Sequence, residues 1–207
     1  MIIGIDFDNT IVCYDRVFHR VATERGLVPA EVPATKEHVR DYLRGCNCEK
    51  VWTELQGYVY AKGILGAEAF PGVFSFFQHA RDLGIATFIV SHKTRHPFEG
   101  PKDDLHVAAR SWLAGAGFFD NERIGLSSDR VYFEPTKQRK LERIAELGCN
   151  VFIDDLPEFL VEPAFPQGVT KMLFDPWGLH AGIEGIDACT SWEGISERLF
   201  GVEATAA

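Results

Sequence analysis

This chain lacks most of the features that place a protein quickly. No apolar stretch in its 207 residues approaches the roughly 20 needed to span a bilayer, so a membrane role is not expected. It has no extended basic run, and 21 Lys and Arg stand against 30 Asp and Glu, for a net charge of −9. Non-specific nucleic-acid binding rests on neutralising phosphates with cations, so nucleic acid is not an expected partner. The first residues run straight into a strand pattern, without a basic leader and cleavage site, and no secretory signal is expected. The five cysteines (Cys13, Cys46, Cys48, Cys149 and Cys189) are scattered. Cys46 and Cys48 have no second cysteine pair or histidine pair at zinc-site spacing, which leaves reduced thiols in a cytoplasmic protein as the expectation.

Several catalytic and binding motifs are missing too. There is no G-x-x-x-x-G-K-[ST], no G-x-S-x-G and no G-x-G-x-x-G after a strand. A calcium loop starting at Asp6 needs Gly and Glu where Ile11 and Val17 stand. No cysteine is followed by Arg six positions later, which disfavours a cysteine-based phosphatase loop. Internal repeats and low-complexity segments are also absent.

What is present reads as one globular core with a smaller appendage: 46% of residues are hydrophobic and 25% charged. Apolar runs at residues 2–7, 85–90, 131–133, 151–153 and 169–174 suit strands covered on both faces, as in a parallel sheet. Helical patterns lie between them. In "GPKDDLHVAARSWLAGAG", Pro101 fits a first turn, Asp103 and Asp104 suit its positive dipole end, and Gly115 can stop it. "TKQRKLERIAELG" offers Thr136 as N-cap, with Leu141, Ile144 and Ala145 inward. "TSWEGISERLF" has capping-box spacing from Thr190 to Glu193. Alternating strands and helices predict an α/β, doubly wound parallel sheet. Between Cys13 and Phe70 the pattern is helical only, at 15–25, 36–44 and 49–62. The expected division is therefore a core of 1–13 and 71–207, with a helical insertion over 14–70.

Ligands of open α/β sheets bind at the carboxyl ends of the strands. The first predicted strand ends on Asp6 and Asp8, the second on Ser91, and that at 151–153 on Asp154 and Asp155. A lone Asp after a strand is usually a turn former. Four carboxylates on one sheet edge would raise one another's pKa values unless a cation neutralises them. A hard divalent cation with oxygen ligands does so, and Mg²⁺ fits because it takes few carboxylates and keeps water for a phosphate to displace. Lys137 stands in the first turn of its helix, where the macrodipole disfavours a cation. Alone it reads as a solvated lysine beside Arg139 and Lys140. Beside the carboxylates it reads as a cation held near Asp154.

Together, "DFDNT" at 6–10, Ser91, Lys137 and the Asp154–Asp155 pair resemble the four motifs, in order, of the haloacid dehalogenase (HAD) superfamily of phosphohydrolases. The insertion resembles that family's helical type-1 cap. The resemblance implies a Rossmann-like core and an aspartyl-phosphate mechanism. Asp6 would be the nucleophile, and Asp8 the general acid and then base. Asp6, the backbone carbonyl of Asp8, and Asp154 would hold Mg²⁺, with Asp155 a second ligand or outer-shell partner. Ser91 and Lys137 would bind the phosphoryl group, and Thr10 would position the loop. Dehalogenases of the family lack the second aspartate, so Asp8 favours phosphoester hydrolysis on a small phosphorylated substrate. A phosphomutase uses the same acid–base pair and stays open, as does a non-catalytic phosphate-binding module; joint retention of Asp6 and Asp8 favours an enzyme.

The loop after Ser91 carries His92, Lys93, Arg95, His96 and Lys102. It reads either as a solvated loop or as a rim attracting an anionic substrate. His92 and Lys93 are its candidate phosphate- or substrate-binding residues, and Lys93 competes with Lys137 for that role.

Overall fold

Continuous Val, Ile and Phe runs bury both faces of a strand, and here they form the centre of a six-stranded sheet. The computed structural model describes residues 1–180 and 182–201. In chain order, β1 spans Ile2–Ile5, and two short strands, β2 (Val12–Cys13) and β3 (Glu68–Ala69), pair with each other. There follow β4 (Ala86–His92), β5 (Val131–Glu134), β6 (Val151–Asp154), β7 (Thr170–Phe174) and β8 (Asp187–Cys189). The large sheet has the order β5-β4-β1-β6-β7-β8, and each neighbouring pair is parallel. β1 lies between β4 and β6, with Ile5 paired to Ile89 on one side and Ile153 on the other.

The helices are α1 (Asp15–Glu24), α2 (Lys36–Gly45), α3 (Glu49–Ala61), α4 (Val73–Asp82), α5 (Leu105–Gly115), α6 (Lys137–Glu146), α7 (Pro157–Leu160) and α8 (Trp192–Phe200). The chain divides into two compact units. One contains Met1–Ile11, Ala69–His92 and the chain from Phe118 onward; the other contains Val12–Glu68 and Lys93–Gly117. In the sheet unit, Leu141 and Ile144 of α6 pack with Phe152, Phe159 and Leu173. A separate aromatic group joins Phe70, Phe76, Phe174 and Trp192, with Phe70–Phe174 and Phe76–Trp192 ring centroids each 4.8 Å apart. Among the described residues no helix is long and apolar enough to cross a membrane.

The helical unit is larger than the expected insertion because it takes in the segment from Lys93 to Gly117. The reason lies in its packing. A Cβ on Gly57 of α3 would stand 2.7 Å from the Glu99 carbonyl and 2.9 Å from Pro97, so the absence of a side chain lets the 97–99 loop lie against the helix. Trp112 of α5 donates its indole N–H to the Ala67 carbonyl at 2.9 Å. Tyr14, Phe18, Trp52 and Tyr60 form the aromatic centre of this unit, with Tyr14–Tyr60 and Phe18–Trp52 centroids 5.0 and 5.1 Å apart.

Two helix starts differ from the sequence expectation. The α5 helix begins at Leu105, not near Pro101, because the Asp104 carboxylate accepts from the N–H groups of His106 and Val107. The α8 helix is capped by Ser191, whose hydroxyl accepts from Gly194 N–H, one residue beyond the Thr190 expected. Thr136 caps α6 as expected, accepting from Arg139 N–H at 3.1 Å.

Candidate active site

The site grows from the end of β1. Asp6 N–H donates to the Ile153 carbonyl at 2.9 Å, carrying the strand one residue further against β6. The chain then folds back, with Ile11 N–H donating to the Phe7 carbonyl at 3.1 Å and Asn9 at φ 58°. Asn tolerates that left-handed conformation better than most side chains. The turn leaves Asp6 5% exposed and Thr10 fully buried.

Lys140 meets the carboxylates, and this corrects the expectation for Lys137. The Lys140 ammonium lies 2.6 Å from Asp6 Oδ1 and 2.6 Å from Asp154 Oδ2. Lys140 is 2% exposed and Asp154 is fully buried. Lys137 begins α6 and is exposed. One turn further on, Lys140 lies on the buried face with Leu141 and Ile144, its ammonium 4.1 Å from the centroid of the Phe159 ring. Sequence carried a signal for this. Lys140 immediately precedes Leu141 and stands four residues before Ile144, inside the apolar stripe of a helix of period 3.6.

Electrostatics follow from this crowding. Burial pushes the Asp6 carboxyl up to about 7; Lys140 opposes the shift, while Asp154 and Asp8 add to it. Burial disfavours the Lys140 ammonium, but Asp154 and Asp6 outweigh that and hold the amine above its ordinary range. One lysine thus stabilises two carboxylates without relieving the first.

A third carboxylate is close by. Ligand oxygens of Asp6, Asp154 and Asp155 lie within 4.8 Å of one another. Thr10 donates its hydroxyl to Asp155 Oδ1 at 3.2 Å, and its carbonyl accepts the Trp192 indole N–H at 3.1 Å. Leu156 N–H donates to Asp154 Oδ1 at 2.9 Å. Three hard oxygen donors against one ammonium leave an excess of negative charge, a donor set that suits Mg²⁺. The Asp8 carboxylate is not one of the three; Asp8 is half-buried two residues after Asp6.

Ser91 is buried on β4, level with Phe133 of β5. His92 ends β4. Its pKa is held below the ordinary value by partial burial and by the Lys140 and Lys137 ammoniums, against a backbone hydrogen bond at Pro135 and the Asp8 carboxylate. Lys93 falls in the helical unit and is 4% exposed, with its ammonium 5.0 Å from the Tyr60 ring centroid. In the same loop, Arg95 pairs with Asp104 at 2.9 Å and His96 Nδ1 lies 3.2 Å from the Asp103 carbonyl. Part of the expected basic rim is therefore internally engaged.

Two more strand-end carboxylates escaped the sequence reading. Glu134 closes β5 and pairs with Arg143 at 2.8 Å. Asp175 follows β7 and accepts from His180 N–H at 2.7 Å. Each has a local partner outside the Asp6 cluster.

No protein-family model and no curated sequence matches the chain. Solved structures do. A HAD-family hydrolase from Deinococcus radiodurans R1, with bound phosphate and sodium, is 16% identical with TM-score 0.56, over 95% of this chain and 93% of that one. The HAD-hydrolase YfnB from Bacillus subtilis, bound to magnesium, is 14% identical with TM-score 0.58, over 96% and 98%. A HAD phosphatase from Thermococcus onnurineus is 16% identical with TM-score 0.53, over 98% and 99%. At these identities the likeness is one of fold.

Proposed function

We propose that this chain, which has the fold of the HAD-superfamily hydrolases, is a Mg²⁺-dependent phosphatase acting on a small phosphorylated metabolite. The observation that carries this reading is the Lys140 ammonium, bonded to both Asp6 and Asp154 beside Asp155. A nucleophilic carboxylate needs a fixed orientation and neighbouring positive charge to meet an anionic ester.

Asp6 attacks phosphorus, and the bond from phosphorus to the alcohol oxygen breaks. Asp8 gives its proton to that oxygen. It then takes a proton from water as the water attacks the aspartyl-phosphate, which releases inorganic phosphate and restores Asp6. Lys140 fills the cationic role expected of Lys137, holding Asp6 in place. With Ser91 it offers donors to the phosphoryl oxygens, whose charge spreads in a loose transition state. Asp6, Asp154 and Asp155 would hold Mg²⁺, assisted by the Asp8 carbonyl. When bound, the ion supplies the positive charge that offsets these carboxylates and the phosphate.

The test is hydrolysis of p-nitrophenyl phosphate with Mg²⁺ or with a chelator. Mg²⁺-dependent release, lost in Asp6→Asn, is expected. Release that survives Asp6→Asn, or no release with Mg²⁺ by a folded protein, overturns the reading.

A further inference from the structure

Cys46 and Cys48, which match no zinc-site spacing, stand where α2 passes into α3. At the end of α2, Cys46 N–H donates to the Tyr42 carbonyl, Asn47 N–H to Arg44 and Cys48 N–H to Leu43, at 3.1, 2.9 and 2.8 Å. The last two bonds are those of a helix end closed by one left-handed residue, here Asn47 at φ 56°. The α3 helix starts at once, with Trp52 N–H donating to the Cys48 carbonyl at 3.0 Å. Across the turn the Arg44 guanidinium donates twice to the Glu49 carboxylate, at 2.7 and 2.9 Å. The two cysteine backbones are thus fixed on either side of a single residue.

That turn brings two thiols into bonding range. Two Cα steps bent at a left-handed residue leave the Cys46 and Cys48 Cα atoms roughly 5–6 Å apart, inside the span that a disulfide bridges. The Cys48 side chain already turns back, its thiol donating to the Cys46 carbonyl at 3.4 Å. Cys46 is exposed, so its side chain is free to rotate toward that sulfur.

The other three cysteines lack this combination. Cys149 and Cys189 are buried and Cys13 is half-buried. Burial pushes all three thiols up, that of Cys149 to about 11. The thiolate is the nucleophile, so these three are slow to oxidise.

We propose that Cys46 and Cys48 form a reversible oxidation site, which takes a hydroperoxide as oxidant and closes to an intramolecular disulfide. The Cys46 thiolate attacks one oxygen of hydrogen peroxide and the O–O bond breaks, leaving a sulfenic acid on Cys46 and, after protonation, one water. The Cys48 thiolate then attacks that sulfur; the S–S bond forms, the S–O bond breaks and a second water leaves. Two thiols and one peroxide give one disulfide and two waters, with two electrons passing from sulfur to oxygen. The site does not depend on the proposed phosphatase activity.

The test exposes the reduced full chain to hydrogen peroxide, alkylates the remaining thiols and locates them by peptide mass spectrometry. Alkylatable thiols should fall from five to three, and the peptide holding residues 46–48 should lose two hydrogens and take no label. That change should run at least about tenfold faster than loss of the Cys149 and Cys189 thiols, and dithiothreitol should reverse it. Cys48→Ser should instead leave a sulfenic acid on Cys46 that dimedone captures, which tests the first step apart from ring closure. Labelling of both thiols after peroxide, a disulfide between two chains or to another cysteine, or equal oxidation of Cys149 and Cys189 overturns the site.

Discussion

The α6 helix presents two charged faces that differ in burial and in partners. Outward, Arg139 pairs with Glu142 and, at 3.9 Å, with Glu146, all partly exposed. Inward, the very next residue, Lys140, is held at 2.6 Å by two buried carboxylates. Exposed pairs of this sort contribute about 0–1 kcal/mol, because water and salt already screen them. Buried ones carry a desolvation cost that can cancel their attraction, so they are poor devices for stability. The contrast separates a charge that decorates a helix from one that a site requires.

The contrast predicts a graded set of outcomes. Removing the inward cation should have the largest effect. Lys140→Ala leaves Asp6 and Asp154 buried with no ammonium, and a loss of about 3–5 kcal/mol is expected in urea unfolding without metal. A loss under about 1 kcal/mol, the surface value, would erase the distinction between the faces.

The next effect is one of pH, and its sign follows from Asp6. Its carboxyl is raised from 3.8 to about 7 in the folded chain. The native state therefore holds that proton more tightly than the unfolded one. The associated stability is fully present below pH 3.8 and is lost as pH rises through about 7. Asp6→Asn cannot lose it. Without metal, the variant should gain on the unmodified chain as pH rises from 4 to 8, by on the order of a few kcal/mol. Mg²⁺ at pH 8 should close the gap by stabilising only the unmodified protein. Parallel pH–stability curves for the two proteins would show that Asp6 titrates normally.

The smallest effects belong to the outward face. Arg139→Ala and Lys137→Ala should each change stability by less than about 0.5 kcal/mol, and Lys137→Ala should leave turnover of p-nitrophenyl phosphate within about twofold, well under one charge-assisted hydrogen bond. A tenfold loss in Lys137→Ala would return the phosphate-binding role to that residue.

Much of this fold is legible in the sequence. The central strands were readable because burial on both faces leaves continuous apolar runs. The α1, α2 and α3 helices fell within a residue of expectation at each end, and Asp6, Ser91 and Asp154 stood at strand ends where predicted. The β8 strand was not readable: at an outer edge, with Asp187 exposed, three residues carry no such run. Lys137 stands out in sequence because a cation in the first turn of a helix is a local anomaly, whereas the inward direction of the Lys140 side chain is set by packing one turn later. Joining Lys93–Gly117 to the helical unit depends on the close approach at Gly57 and on the Trp112 bond, both long-range contacts with no local signature.

One of the site's supports also fixes when it can be completed. The Thr10 carbonyl rests on the indole of Trp192, 182 residues later in the chain. At the 5–20 residues per second of synthesis, that is a wait on the order of ten to forty seconds between making the loop and making its support. Throughout that interval the nascent chain carries Asp6 without the contact that seats the turn beside it. A chain halted before residue 192 would contain every carboxylate of the cluster and still lack this contact, so the order of synthesis itself withholds the finished loop until α8 is made.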